Sequence, residues 1–272
     1  MDSEKVRKWR HEMNEMEREI QEIKQFLARY DQQRLLEAKK LVLLVDLDNT
    51  LVHTLVKEVG GASSRVPDAA FEYQYQIDEA DPSSPLLLTR IRPHAIDFLK
   101  NLSPMFEMRI CTLGCRQYAR KIANLLDRQG LYFADRITAR EDTVNCKSKT
   151  EHVTNLFPCG DQLVLIVDDR EDVWNSAPNL IPIRPFNGID DDYLVQLETL
   201  LRRVHRDYFV AYSNPNSLNQ DLLHVKSILF NICNKVGVQS GAVQSGMRLK
   251  RRKSMPIEMF DAKRRNFQFV PV

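Results

Sequence analysis

The residues best able to do chemistry in this sequence sit directly after short apolar runs. LVLLV at 41–45 runs into Asp46-Leu47-Asp48-Asn49-Thr50, and FEMRIC at 106–111 runs into Thr112. RITA at 136–139 precedes Arg140, QLVLIV at 162–167 precedes Asp168-Asp169, and Lys149 lies in the polar loop 141–150. A lone Asp or Thr at a strand end commonly caps a turn. Four carboxylates gathered from two strand ends repel one another unless a cation sits among them. Hard oxygen ligands with room for water and phosphate favour Mg²⁺. Such an ion neutralises a phosphate dianion, so that an anionic nucleophile can approach it. Lys149 would add a second positive charge, and the Thr112 hydroxyl a hydrogen bond to a phosphoryl oxygen. A carboxylate nucleophile with a second acid two residues on can run a two-step displacement. Asp46 would take the phosphoryl group as an acyl phosphate, and Asp48 would serve first as acid and then as base.

The elements around these residues must bring them to one place. LVLLV reads as a strand buried on both faces. LLLTRI (86–91), FEMRIC, RITA, QLVLIV and LIPI (180–183) read as further strands, and they alternate with helices over 93–102, 116–127 and 150–157. Alternation of this kind implies an α/β fold, a parallel sheet with helices on both faces. In such a sheet function gathers at the carboxyl edge of the strands. Residues 54–85, with Gly-Gly, Ser-Ser and two prolines around FEYQYQI, read as an inserted flap. Helices over 190–208 and 219–235 follow the sheet. Residues 4–38 read as one long helix, with Val6, Trp9, Met13, Met16, Ile20, Ile23, Leu27 and Tyr30 at alternating three–four spacing. That is a coiled-coil seam, and it suggests self-association or a partner helix through residues 4–30.

Composition narrows the function classes. The chain has 272 residues and is 43% hydrophobic and 28% charged, enough for a full core and unlike a fibrous or wholly disordered chain. Five cysteines without a CxxC pair argue for a reducing compartment and against structural zinc. No apolar run reaches the length of a membrane span, and the charged start MDSEKVRKWRHEM has no secretory core. The net charge of +2 hides a basic tail: residues 237–272 carry eight basic and two acidic side chains. Its runs RLKRRK and KRR look like the halves of a bipartite nuclear import signal. The middle of the chain is acidic, so no direct reading of nucleic acid is expected.

DLDNTLVHT resembles the DxDxT signature of the haloacid dehalogenase superfamily, in its Fcp/Scp branch of RNA polymerase II C-terminal-domain phosphatases. The likeness extends through RICTLGCRQYA, KSKTEHVTNLFPCGD, LIVDDREDVW and DDYLVQLETLLRRVHRDYF, and is closer to the Fcp type. It implies a haloacid-dehalogenase-like Rossmannoid three-layer sandwich with a central parallel sheet, here preceded by the long N-terminal helix. It also implies a nuclear, Mg²⁺-dependent protein-serine/threonine phosphatase acting on the phosphorylated polymerase tail. By resemblance Asp46 is the nucleophile and Asp48 the general acid/base, Thr50 supports the loop, and Thr112 and Lys149 hold the phosphoryl group. Asp46, Asp48 through its carbonyl, Asp168 and Asp169 form the metal site, with Asp169 favoured as the direct ligand of the last pair. Arg92, Tyr118 and Arg140 are implied around the substrate. The expected organisation is a helix over 1–40, a catalytic domain over 41–186 with the flap, C-terminal helices over 187–236 and a disordered tail over 237–272.

Two departures bear on docking. About 60 residues follow Tyr208, too few for the family's phosphoprotein-binding BRCT domain, and its acidic C-terminus is absent. A non-catalytic phosphoprotein-binding scaffold, pairing through the N-terminal helix, is the rival from another class. A small-metabolite phosphatase would need a large cap domain, which the sequence does not offer. His53 and Trp174 are read as structural. None of the five cysteines precedes an arginine at the spacing a cysteine phosphatase needs, so they are read as ordinary thiols.

Overall fold

The computed structural model describes residues 3–57, 72–81, 84–142, 148–158, 160–214 and 223–239. The basic tail beyond residue 239 and half of the flap lie outside them. The centre of the fold is β1 (Leu41–Val45), whose five residues are all 0% exposed. It pairs in parallel with β5 (Phe106–Cys111) on one side and β7 (Val164–Asp168) on the other. Adding β6 (Ile137–Thr138) and β8 (Leu180–Pro182) gives a five-stranded parallel sheet in the order β6-β5-β1-β7-β8. A strand with apolar neighbours on both faces has no need of hydrophobic alternation, which is why LVLLV is an unbroken run.

Helices cover this sheet, each through one apolar stripe. α2 (Ala95–Leu102) buries Ala95, Phe98, Leu99 and Leu102, and α3 (Arg116–Leu126) buries Tyr118, Ala119, Ile122, Ala123 and Leu126. The short α4 (Thr150–Leu156) precedes β7. α5 (Tyr193–Tyr212) turns Leu194, Leu197, Leu201, Val204 and Tyr208 inward, and α6 (Val225–Gln239) packs against it. These spacings of three and four are the helical period read off the buried side chains.

The segment LLLTRI departs from its expected place. It forms β4 (Leu86–Ile91), which stands outside the parallel sheet in a separate antiparallel one, ordered β2-β4-β3. Its partners are β2 (Val52–Val56), a strand that the sequence pattern does not announce, and β3 (Tyr73–Gln76) within FEYQYQI. VHTLV begins only four residues after Asp48, so the signature loop opens straight into the second sheet.

Arg92 anchors the junction between the two sheets. Its Nε and Nη2 donate to Asp191 at 3.0 and 2.8 Å, Nη1 donates to Thr50 O at 3.1 Å, and Nη2 also reaches Arg184 O at 3.1 Å. The guanidinium lies between the rings of Phe186 and Tyr193. Arg92 is 1% exposed, and its guanidinium neutralises a neighbouring acid.

The N-terminal helix α1 (Ser3–Glu37) attaches only at its C-terminal end. Leu35 enters the core, and Arg34 bonds Glu107 at 2.6 Å. The seam above it is open to solvent: Trp9, Met16, Ile23, Leu27 and Tyr30 are all more than half exposed. In a parallel, in-register pair of copies Lys5 would face Arg10 and Glu12 would face Glu17, with Glu19 against Lys24 as the one complementary pair.

Two outcomes are expected from this architecture. Arg92→Met should lower unfolding free energy by about 3 kcal/mol, at the weaker end for a broken buried ion pair because Asp191 is partly exposed; urea unfolding measures it, and a loss under about 1 kcal/mol, the size of an exposed pair, would refute the assignment. The like charges along the seam predict that the purified chain sediments as a monomer, and a stable dimer at physiological salt would contradict that.

Candidate active site

The strands β5, β1 and β7 are neighbours, and all three end on the same edge of the sheet. That edge carries Thr112, Asp46 and Asp168-Asp169. Ladder bonds fix their relative height: Asp46 N donates to Val167 O at 3.0 Å, and Thr112 N to Thr138 O at 3.0 Å. One carboxylate oxygen from each of Asp46, Asp168 and Asp169 falls within 4.8 Å of the others. Among the described residues no other group of three acidic, His or Cys side chains meets in this way.

Lys149 is the ammonium inside this cluster. It stands at the start of α4, its own amide bonded to Val173 O at 2.8 Å. Its Nζ lies 2.6 Å from Asp46 Oδ1 and 2.6 Å from Asp168 Oδ2, and the residue is 2% exposed. Despite burial, the two carboxylates raise its affinity for the proton, so it stays charged. Burial and the charge of Asp168 push the Asp46 carboxyl well up, against the pull of Lys149. Burial and Asp168 likewise push Asp169 up to about 7. Three carboxylates against one ammonium leave a deficit of positive charge, and that deficit is what a divalent ion would fill. The donors are hard oxygens, as Mg²⁺ requires. The residues present therefore fit the ion.

Within the acidic pair the two residues differ. Asp168 is fully buried and already accepts from Lys149, from Trp174 Nε1 at 2.7 Å and from the Arg170 amide at 2.9 Å. Asp169 is less buried, and one of its carboxylate oxygens stands in the same cluster. Trp174 does more than the packing expected of it. Its ring is buried, but its indole N–H holds Asp168 in place. The usable signal in the sequence is that a buried Trp needs an acceptor.

Asp48 takes a different direction from Asp46. The turn between β1 and β2 passes through Asn49 at φ 57°, a left-handed conformation that Asn tolerates. Asn49 N donates to Val52 O at 2.7 Å, and Asn49 O accepts from Phe186 N at 2.7 Å. The Asp48 side chain leaves the carboxylate cluster and accepts a short hydrogen bond from Tyr118 OH. Burial raises its affinity for a proton, and the bond from Tyr118 opposes that. Tyr118 is 6% exposed, and its hydroxyl is donated toward Asp48 and Thr54. Gly114 makes the arrangement possible. A Cβ there would come within 2.7 Å of the Tyr118 ring.

The remaining candidates divide between backbone and side-chain roles. Thr112 Oγ1 accepts from Gly114 N at 3.0 Å, so its proton faces no other demand among the described contacts. The Thr50 hydroxyl is buried and has no hydrogen-bond partner among the described residues. Its backbone does the holding, through Thr50 N to Leu47 O and Thr50 O to Arg92. Arg140 is half-buried, and its amide donates to Gly114 O at 3.0 Å, which places it beside the Thr112 loop. His53 bonds Asn49 Oδ1 at 3.1 Å across the turn, a structural contact. Burial pushes the Cys111 thiol up to about 12, which leaves it protonated and inert. A wide cleft of about 850 Å³ between α1 and the end of α5 lies at the opposite edge of the sheet, far from every residue of this cluster.

Comparison with known proteins places this geometry. The chain is 44% identical over 160 residues to a human RNA polymerase II C-terminal domain phosphatase, a match covering 59% of this chain and 16% of that protein. To the Caenorhabditis elegans protein of the same name it is 34% identical over 251 residues, covering 81% of this chain and 37% of the relative. The chain thus spans well under half the length of these relatives. A solved fission yeast RNA polymerase II CTD phosphatase, bound to beryllium fluoride, shares the fold with a TM-score of 0.65 at 23% identity, over 82% of this chain and 80% of that one. Residues 41–211 match the family described as NLI interacting factor-like phosphatase, and the chain belongs to that family.

Proposed function

We propose that this chain is a Mg²⁺-dependent protein-serine/threonine phosphatase that works through an aspartyl-phosphate on Asp46. Its proposed substrate is the phosphorylated C-terminal domain of RNA polymerase II, and its proposed place of action the nucleus. The observation that carries the reading is the meeting of Asp46, Asp168 and Asp169 around the single ammonium of Lys149. The likeness to the human and nematode polymerase-tail phosphatases supports the substrate.

Asp46, Asp169 and the Asp48 carbonyl would hold the metal, with Asp168 behind them. When bound, the ion supplies positive charge that offsets the phosphate dianion. The residues do the rest. Lys149 and the Thr112 hydroxyl bind phosphoryl oxygens and orient phosphorus toward Asp46. An Asp46 oxygen attacks phosphorus as the bond from phosphorus to the serine oxygen breaks. Asp48 gives its proton to that oxygen. In the second half Asp48 takes a proton from water, the water oxygen attacks phosphorus, the bond to Asp46 breaks, and phosphate leaves.

Asp46→Asn should lower turnover of a phosphoserine heptad peptide by about 10⁴-fold or more, as removal of a nucleophile does. The same change relieves repulsion in the cluster, so the metal-free variant should melt no lower than the parent. Turnover retained in the variant would refute the nucleophile. Turnover of sugar phosphates above that of the peptide would refute the substrate class, and peptide binding without hydrolysis would favour the scaffold alternative.

The raised carboxyl affinities set a pH dependence. Without metal, Asp46 and Asp169 bind protons more tightly folded than unfolded, so their contribution to stability is lost as pH rises above the ordinary carboxylate range, for Asp169 through about 7. Protons compete with the ion over the same window. The stabilisation given by Mg²⁺ should therefore be larger at pH 8 than at pH 5.5, reaching about 2.7 kcal/mol at roughly 100 times Kd. An equal shift in melting temperature at both pH values would show that these carboxylates do not bind the ion.

A further inference from the structure

Asp48 stands at the end of a chain of hydroxyl groups. Tyr118 OH, bonded to Asp48, lies 2.8 Å from Thr54 Oγ1. Thr54 Oγ1 lies 2.8 Å from Thr89 Oγ1, which lies 2.8 Å from Tyr75 OH. Tyr118 OH donates toward both Asp48 Oδ1 and Thr54 Oγ1, and in the Thr54–Thr89 and Thr89–Tyr75 contacts either hydroxyl can give the proton. The four hydroxyls form one connected network that ends on Asp48.

The links come from every strand of the antiparallel sheet. Thr54 on β2 and Thr89 on β4 are cross-strand partners, and Tyr75 reaches over from β3. Thr89 is 0% exposed, so its hydroxyl has no water to fall back on. The far end is fastened to α3, where Lys121 Nζ donates to Gln76 O at 2.6 Å and sits 5.8 Å from the centre of the Tyr75 ring. Mutual satisfaction of buried hydroxyls would need no fixed end. Here the last acceptor is the carboxylate two residues from the nucleophile, and α3 also carries Tyr118.

Building on the phosphatase reading above, we infer that Tyr75, Thr89 and Thr54 are positioning residues for Asp48: through Thr54 they hold the Tyr118 hydroxyl, and with it the Asp48 carboxyl, from the inserted sheet. Removing an inner link loosens the Tyr118 hydroxyl and frees Asp48 to rotate. A misplaced proton donor harms a reaction in proportion to the basicity of the leaving oxygen. A serine alkoxide needs the proton far more than an aryl oxide does. The relay thus matters most for phosphoserine.

The test compares full-length parent, Thr89→Val, Thr89→Ser and Tyr75→Phe, with Mg²⁺, on a phosphoserine peptide and on an aryl phosphate. Thr89→Val should lower peptide turnover about tenfold and aryl turnover much less, so that the ratio of aryl to peptide rates rises about fivefold. Thr89→Ser should return the ratio to the parent value, and Tyr75→Phe should raise it about twofold. Circular dichroism checks folding, and Tyr75→Phe decides the matter where Thr89→Val does not fold. Equal losses on both substrates, or none, in a folded variant would overturn the relay while leaving the phosphatase reading intact. A parent protein inert toward both substrates would overturn that reading, and the relay with it.

Discussion

The structure turns on an electrostatic imbalance that the sheet itself imposes. β1 and β7 are adjacent parallel strands, so the backbones of Asp46 and Asp168 stand about a strand spacing apart, and their carboxylates meet. Lys149 bridges Asp46 and Asp168 at 2.6 Å each, and that pairing makes the burial of Asp168 tolerable. It does not balance Asp169. A site built only for stability would carry an apolar residue at one of these positions, since replacing buried charge by packed apolar groups is often neutral or stabilising. The excess negative charge is stored where, in the proposed reaction, a phosphate dianion and its counter-ion arrive together, and it sets the cluster apart from a balanced structural salt bridge.

A second constraint separates two acids that are close in sequence. Asp46 and Asp48 are two residues apart, yet Asp46 belongs to the Lys149 cluster and Asp48 to Tyr118. The left-handed turn at Asn49 and the missing side chain at Gly114 produce the split. The first re-aims the backbone after β1, and the second lets the Tyr118 ring lie against the Thr112 loop. Their environments differ accordingly. Asp46 feels other carboxylates, whereas Asp48 feels burial and a hydroxyl donor. Different surroundings for two chemically identical groups suit the two proposed roles, attack by one and proton transfer by the other.

Much of this is legible in the sequence, and the failures share a cause. The unbroken run LVLLV, the acids at two strand ends and the Thr and Lys between them are local signals, so the parallel sheet and its edge follow directly. The contacts of Arg92 and Tyr118 are not legible in the sequence because a residue type does not reveal which way its side chain faces. Arg92 precedes a proline, as a substrate-binding arginine could, but its partner Asp191 lies 99 residues away. Tyr118 has the 3.6-residue spacing of a buried helix position, and only the fold shows that its hydroxyl ends at Asp48. VHTLV escapes notice as a strand because its pairing partner, LLLTRI, reads equally well as a member of the parallel sheet. Trp174 is legible in part, since its need for an acceptor is plain and the acceptor stands six residues earlier.

The inserted sheet is therefore part of the site and not an ornament on it. β2 begins four residues after Asp48, and Arg92, at the exit of β4, ties the same loop to the segment 184–193 through Thr50 O, Arg184 O and Asp191. Both ends of the insertion are thus fastened within a few residues of the nucleophile. A displacement of this sheet cannot be absorbed by a flexible linker, because no linker separates it from the DxDxT loop. It must move the turn at Asn49, and with that turn the direction of Asp48, while β1 and Asp46 stay fixed between two parallel neighbours. The proposed nucleophile is thus held by the parallel sheet and the proposed proton carrier by the insertion, so the two proposed functions of the site rest on different elements.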